Sequence, residues 1–174
     1  MVNTYYIDIS KHKINNFDFK GFCDERIKYV LSIKDENRRI QSYFAWKLLL
    51  KILPYSDYSF TLKPNGKWVE KTDKIFFSIS HSKNVVSVTL SDKPCGVDVE
   101  LVSEKIYKIK NRLSNLSESL SKDELTRKFT QFEASYKSNN APINTYFNLA
   151  DEQENKYELC CSAYGESKFI KFEL

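Results

Sequence analysis

Tyr5, Ile7 and Ile9 alternate with Thr4, Tyr6 and Asp8 across residues 3–9, a period of two that predicts a half-buried strand. The period changes further on. A polar stretch leads through 24–31 into 35–53, where Ile40, Phe44, Leu48 and Ile52 recur every fourth position, and Pro54 follows. That spacing predicts a helix with one buried face and a defined end. Residues 60–69 read as two short extended pieces around Asn65-Gly66, a tight-turn dipeptide. Residues 75–80 and 85–90 are β-rich and are separated by the polar His81-Ser82-Lys83-Asn84. Lys93-Pro94 punctuates the chain, and 95–101 reads as another strand. The second half predicts helices over 104–113 and 122–137, a breaker-rich loop at 138–142, and extended pieces at 144–149, 157–163 and 168–173. Strands and helices do not alternate as a doubly wound parallel sheet requires. The expected class is α+β, with two subdomains, residues 1–93 and 94–174, each holding helix and a few strands.

Composition narrows the class of molecule without naming a chemistry. The 174 residues are 41% apolar and 14% aromatic with only four Gly and four Pro, enough to bury a core. No apolar run approaches the roughly 18 residues of a membrane span. Met1–Tyr6 lacks the basic-then-apolar pattern of a secretory signal, so a cytoplasmic protein is expected. The four cysteines, 23, 95, 160 and 161, have neither zinc-ligand spacing nor the density of a disulfide framework. The net charge of +4 is unevenly spread: residues 1–93 hold 16 Lys+Arg against 10 Asp+Glu, and residues 94–174 hold 11 against 13. That split fits either two ordinary solvated surfaces or a polyanion seated across a seam between a basic and an acidic half. Scattered Lys and Arg, with aromatics at core periodicity, argue against a nucleic-acid-binding protein.

Three segments carry candidate chemistry. In Gly96-Val97-Asp98-Val99-Glu100, strand alternation puts Asp98 and Glu100 on one face, about 7 Å apart along the strand. Two such carboxylates can reach one hard cation such as magnesium, although an ordinary strand with a solvent face has the same pattern. In 129–137, Phe129, Phe132 and Tyr136 form an apolar stripe, with Glu133 and Lys137 one turn apart beside it. Glu133 and Lys137 fit a surface ion pair, or else a third metal carboxylate and a phosphate contact. Phe77-Ser78-Ile79-Ser80-His81-Ser82 ends a strand in donors that an anion could use.

The order of these segments resembles the 4′-phosphopantetheinyl transferases, of the surfactin-synthetase-activator type with both halves in one chain. Ile79-Ser80-His81-Ser82, a hydrophobic strand, Gly96-Val97-Asp98-Val99-Glu100 and a helix bearing Phe129-Thr130 and Glu133-Ala134 followed by Lys137 carry the likeness over nearly the whole sequence. Asp35-Glu36-Asn37-Arg38-Arg39, Asn65-Gly66-Lys67 and Arg112-Leu113-Ser114-Asn115-Leu116-Ser117-Glu118 match further segments of that type. The resemblance implies transfer of the phosphopantetheine arm of coenzyme A to a serine of an acidic apo carrier protein. It also implies two pseudo-twofold-related subdomains, each packing a small antiparallel sheet on a long helix, and a monomer. Carried over by position, Asp98, Glu100 and Glu133 would hold magnesium, and Glu133 would accept the serine proton. Lys137 would face the phosphates, and Arg39, Lys67, Ser80 and His81 would grip the nucleotide's phosphate groups. The chain departs from the family pattern where Phe132 replaces the usual Lys, where Trp68 follows Gly66-Lys67, and where 138–142 holds no Gly. The carboxyl-terminal sheet also looks pared down. A second reading is therefore a relative that binds coenzyme A or carrier protein without transfer.

Overall fold

Strand β1 (Val2–Asp8) lies inside the largest sheet of the protein, whose computed structural model describes residues 2–12, 14, 16–54, 57–109 and 120–174. The matched segment 112–118 lies outside those residues. Two helices follow β1, α1 (Asp24–Ser32) and α2 (Glu36–Ile52). Asp35 starts α2 by accepting from the Arg38 N–H at 2.8 Å, satisfying a donor that helix geometry leaves free. Trp46, Leu48 and Leu49 of α2 are fully buried, each contributing about 1.5–3 kcal/mol by area. They pack with Phe77, Val86 and Val88 from the strands β4 (Phe76–Ser82) and β5 (Val85–Ser91). Between α2 and β4, β2 (Phe60–Leu62) and β3 (Trp68–Glu70) form a separate hairpin whose turn places Gly66 at φ +80°.

The second half begins with β6 (Gly96–Leu101) and α3 (Ile106–Ile109), followed by α4 (Lys122–Lys137). Ser121 and Glu124 close a reciprocal capping box at the start of α4, worth on the order of 1 kcal/mol. Strands β7 (Ile143–Ala150), β8 (Lys156–Ala163) and β9 (Ser167–Lys171) complete the chain. The three-stranded sheet runs β6-β8-β7, antiparallel throughout, with α4 on one face. Its other face packs Val97, Val99 and Leu159 against Val85, Tyr6 and Phe169 of the larger sheet. The architecture is α+β. Among the described residues, no helix is long and apolar enough to cross a membrane.

Three features differ from the sequence expectations. The larger sheet is mixed and crosses the division at residue 93, because β9 pairs in parallel with β1 in the order β4-β5-β1-β9. The buried hydroxyls of Thr4, Thr89 and Ser167 fix that junction with two 2.7 Å bonds. His81 and Ser82 belong to β4, in register with Val86 and Val85, and not to the connecting turn. The turn is only Lys83-Asn84, made tight by Lys83 at φ +48°. Finally, the helix expected from 104 starts as the short α3 at Ile106, and its expected continuation past 109 lies outside the described residues.

Candidate functional site

Every second residue of β4 from Ser78 is a serine, so all three hydroxyls share one face. The unpaired edge of β6 rests on that face. Ser78, Ser80 and Ser82 accept the backbone N–H groups of Val97, Val99 and Leu101 at 3.0, 3.3 and 3.0 Å. Side chains thereby replace a missing strand, satisfying edge donors that would otherwise be costly to bury. Two of the serines also donate across the joint, Ser80 to Asp98 Oδ1 at 2.8 Å and Ser82 to Glu100 Oε2 at 3.0 Å. This serine comb orients both carboxylates of the Asp-Val-Glu motif. Asp98 is only 4% exposed, so its face of the strand is no solvent face.

Gly96 lets α4 close over β6. A Cβ there would lie 2.0 Å from the Ala134 carbonyl oxygen and 2.7 Å from the Ser138 nitrogen, both backbone atoms. The close approach brings the end of α4 onto Asp98: Lys137 Nζ donates to Asp98 Oδ1 at 2.6 Å and to the Val97 carbonyl at 3.1 Å. Lys137 thus pairs with the buried Asp98, where the sequence offered Glu133 as a surface partner. Burial pushes the Asp98 carboxyl up, against the opposing pull of Lys137 and Ser80. Burial, with the Asp98 charge behind it, raises Glu100 to about 7. Asp98 Oδ2 is buried and has no hydrogen-bond partner. After α4 the chain turns through Asn139 and Asn140, at φ +59° and +60°. Asn tolerates this left-handed region, which is how a loop without Gly makes the turn.

A cleft of about 630 Å³ opens where the halves meet. The second half contributes Glu133, Tyr136 and Lys137; the first contributes Lys67 from the β2–β3 turn and His81 from β4. Lys67 Nζ donates to the Lys137 carbonyl at 2.8 Å, linking the β2–β3 turn to the end of α4. Burial first, then Lys137, lowers His81 to about 4. At neutral pH it is an uncharged imidazole, offering a hydrogen bond and no positive charge. Phe132 is half-exposed and Tyr136 is 76% exposed, one helical turn apart beside Glu133.

Two residues assigned to the nucleotide's phosphates are not among those lining the cleft. Arg39 donates through Nε to the Ile33 carbonyl at 2.8 Å, and so ties down the carbonyl end of α1. Ser80 spends its hydroxyl on Val99 and Asp98. Conversely, Arg26 of α1 lines the cleft and was not singled out from the sequence. It is 3% exposed and donates through Nη2 to the carbonyl and hydroxyl of Ser42 at 2.7 and 2.8 Å. Its guanidinium lies 4.6, 5.0 and 5.4 Å from the ring centres of Trp46, Tyr29 and Trp68. Its Nε is buried without a partner. Desolvation lowers the group to about 10, which leaves it cationic at neutral pH. The contributing rings come from three separate elements, so no local motif marks it.

Among the described residues, no group of three or more His, Cys, Asp or Glu side chains is arranged to hold a metal ion. The Lys137 ammonium occupies Asp98 Oδ1. The donor chemistry nevertheless suits a hard divalent cation, because Asp98, Glu100 and the neighbouring Glu133 offer only carboxylate oxygens and Asp98 Oδ2 is unpartnered. No protein-family model matches the chain, and no curated protein matches its sequence.

Proposed function

We propose that the chain is a 4′-phosphopantetheinyl transferase, moving the phosphopantetheine arm of coenzyme A to a serine of an acidic apo carrier protein. The observation that carries this reading is the cleft itself. Cationic and donor groups of the first half, Arg26, Lys67 and His81, line it together with Glu133 and Lys137 of the second, and Asp98, outside the lining, is bonded to Lys137. That division suits a polyanionic co-substrate lying across the seam, and it parallels the basic and acidic halves of the sequence. The helix-on-sheet packing of each half, α2 over β4 and β5 and α4 over β6 and β8, accords with the pseudo-twofold plan.

In this reading Arg26 and Lys67 hold phosphate groups by charge-assisted hydrogen bonds, and neutral His81 adds a directional one. Lys137 turns from Asp98 toward the pyrophosphate and compensates its charge. Glu133 takes the proton of the attacking serine, directly or through a water. The serine oxygen bonds to the phosphorus that carries pantetheine, and the bond from that phosphorus to the bridging oxygen breaks. Adenosine 3′,5′-bisphosphate leaves with the electron pair. Asp98, Glu100 and Glu133 are the residues that would hold magnesium, which when bound neutralises pyrophosphate charge and polarises the reacting phosphorus.

A second reading, binding without transfer, is favoured by one observation: Lys137 already neutralises Asp98 at 2.6 Å. Incubation with coenzyme A, magnesium and a panel of apo carrier proteins, followed by intact mass, separates the two. The transferase reading expects a phosphopantetheine mass increment on at least one carrier. Tight coenzyme A binding with no increment on any carrier favours the second reading, and absence of both sinks the assignment.

A further inference from the structure

A second cavity, of about 960 Å³, opens on a different face of α2 from the cleft. The two share no lining residue: Ser42 and Ala45 of α2 line the cleft, whereas Trp46, Lys47, Leu50 and Lys51 of the same helix line this cavity. None of the residues given a role in transfer belongs to it.

Its lining divides by chemistry. Trp46 is part of the main core and Leu50, Leu53 and Phe60 pack against it, with the Trp46 and Phe60 rings meeting edge to face at 5.0 Å. Four ammonium groups from three segments accompany this apolar surface: Lys20 from the chain before α1, Lys47 and Lys51 from α2, and Lys71 directly after β3. Lys20, Lys51 and Lys71 are exposed and Lys47 is half-buried. One carboxylate, Asp18, shares the lining, and its Oδ1 already accepts the Lys20 backbone N–H at 3.1 Å.

Ordinary structural uses account for only part of this charge. Lys51 stands in the last turn of α2, where a cation complements the helix dipole. Lys47 Nζ donates to the Tyr43 hydroxyl at 3.3 Å and lies 5.5 Å from that ring's centre. Among the described residues, no ion pair includes any of the four lysines. Water screens such a cluster, so it need not destabilise the fold. It does leave a positive rim beside an apolar recess, the complement of a molecule with an apolar body and an anionic head. The volume lies within the range of about 300–1,000 Å³ usual for small-ligand pockets.

We propose that this cavity binds a single-chain anionic amphiphile, its chain against Trp46, Leu50, Leu53 and Phe60 and its acidic head among Lys20, Lys47, Lys51 and Lys71. The site is independent of the transferase reading and needs neither coenzyme A nor a metal.

Cys23 supplies the readout, because it lines the cavity and is exposed, whereas Cys95, Cys160 and Cys161 are buried. Alkylation of Cys23 by iodoacetamide, followed by intact mass, is measured against increasing dodecanoate kept below its micelle concentration. Dodecanoate should slow alkylation saturably and change the tryptophan fluorescence, and the fluorescence change should survive Trp68→Phe, since Trp46 is the indole of this lining. Reversing two exposed charges in Lys20→Glu/Lys71→Glu should weaken protection about tenfold while the unfolding midpoint holds. Dodecyltrimethylammonium, with a similar chain and the opposite charge, should protect far less. Equal protection by that cation, or undiminished protection in the charge-reversed variant, overturns the anionic preference. Inorganic phosphate that protects as well as dodecanoate overturns the role of the apolar lining. Binding to vesicles of anionic phospholipid without protection by free dodecanoate assigns the face to a membrane surface and overturns the proposal, as does no protection by dodecanoate at all. None of these outcomes alters the expected modification of a carrier protein, so the two readings stand or fall separately.

Discussion

Replacing Gly96 by alanine puts the packing of α4 on β6 to a direct test. The added Cβ would lie 2.0 Å from the Ala134 carbonyl oxygen, whereas ordinary contact begins at 3.4 Å. Relief along that line needs a retreat of about 1.4 Å, the difference between the two. The obstructing atoms are helix backbone, which cannot swing aside as a side chain would. Overpacking in a close-packed interior costs about 1–3 kcal/mol, and a rigid obstacle puts this case at the upper end. The retreat also pulls Lys137 from its 2.6 Å bond to Asp98. We expect a loss of about 3 kcal/mol, or a melting temperature lower by about 6–12 °C for a chain of this size. Urea denaturation and calorimetry give the two values independently. A loss below about 1 kcal/mol would mean that α4 yields freely and that Gly96 does not set its position.

Two further outcomes follow from buried polar groups. Burial alone would raise Asp151, but hydrogen bonds from Tyr157, Asn155 and Asn84 outweigh it and bring the carboxyl down to about 2. A depressed folded-state pKa contributes stability above the unfolded value near 4 that is lost as pH falls through the folded one. Asp151→Asn should therefore be less stable than wild type at pH 7, with the gap in urea midpoint narrowing between pH 4 and 2; a gap independent of pH would contradict this. Arg26→Met exchanges a buried, acid-free cation for a side chain that suits its aromatic surroundings. Stability should change by less than about 1 kcal/mol, while coenzyme A affinity falls at least tenfold. Intact affinity in a badly destabilised variant would make Arg26 structural alone.

The sequence was most informative where one element carries its own signal. The Phe129–Phe132–Tyr136 spacing marks α4, and alternation in 96–101 puts Asp98 and Glu100 on one face. What it concealed depends on partners distant in the chain. Polar His81 and Ser82 read as a turn because nothing local reveals that the edge of β6 needs their strand's hydroxyls. The resemblance assigns Arg39 to the phosphates by position, yet its guanidinium is used on the end of α1. Arg26 carries no local signal, because the rings around it sit at positions 29, 46 and 68. The parallel pairing of β9 with β1 joins the two ends of the described chain, which no local pattern encodes.

The central claim places proton removal and phosphopantetheine transfer at the seam, with Glu133 touching the reacting serine. Intact mass of an apo carrier protein, incubated with coenzyme A, magnesium and either wild type or Glu133→Gln, addresses it most directly. Wild type should convert the carrier to its phosphopantetheinylated form, while Glu133→Gln, folded to the same unfolding midpoint, leaves it unmodified. Equal conversion by the two proteins would contradict the role given to Glu133, and no conversion by wild type across the carrier panel would contradict the function itself.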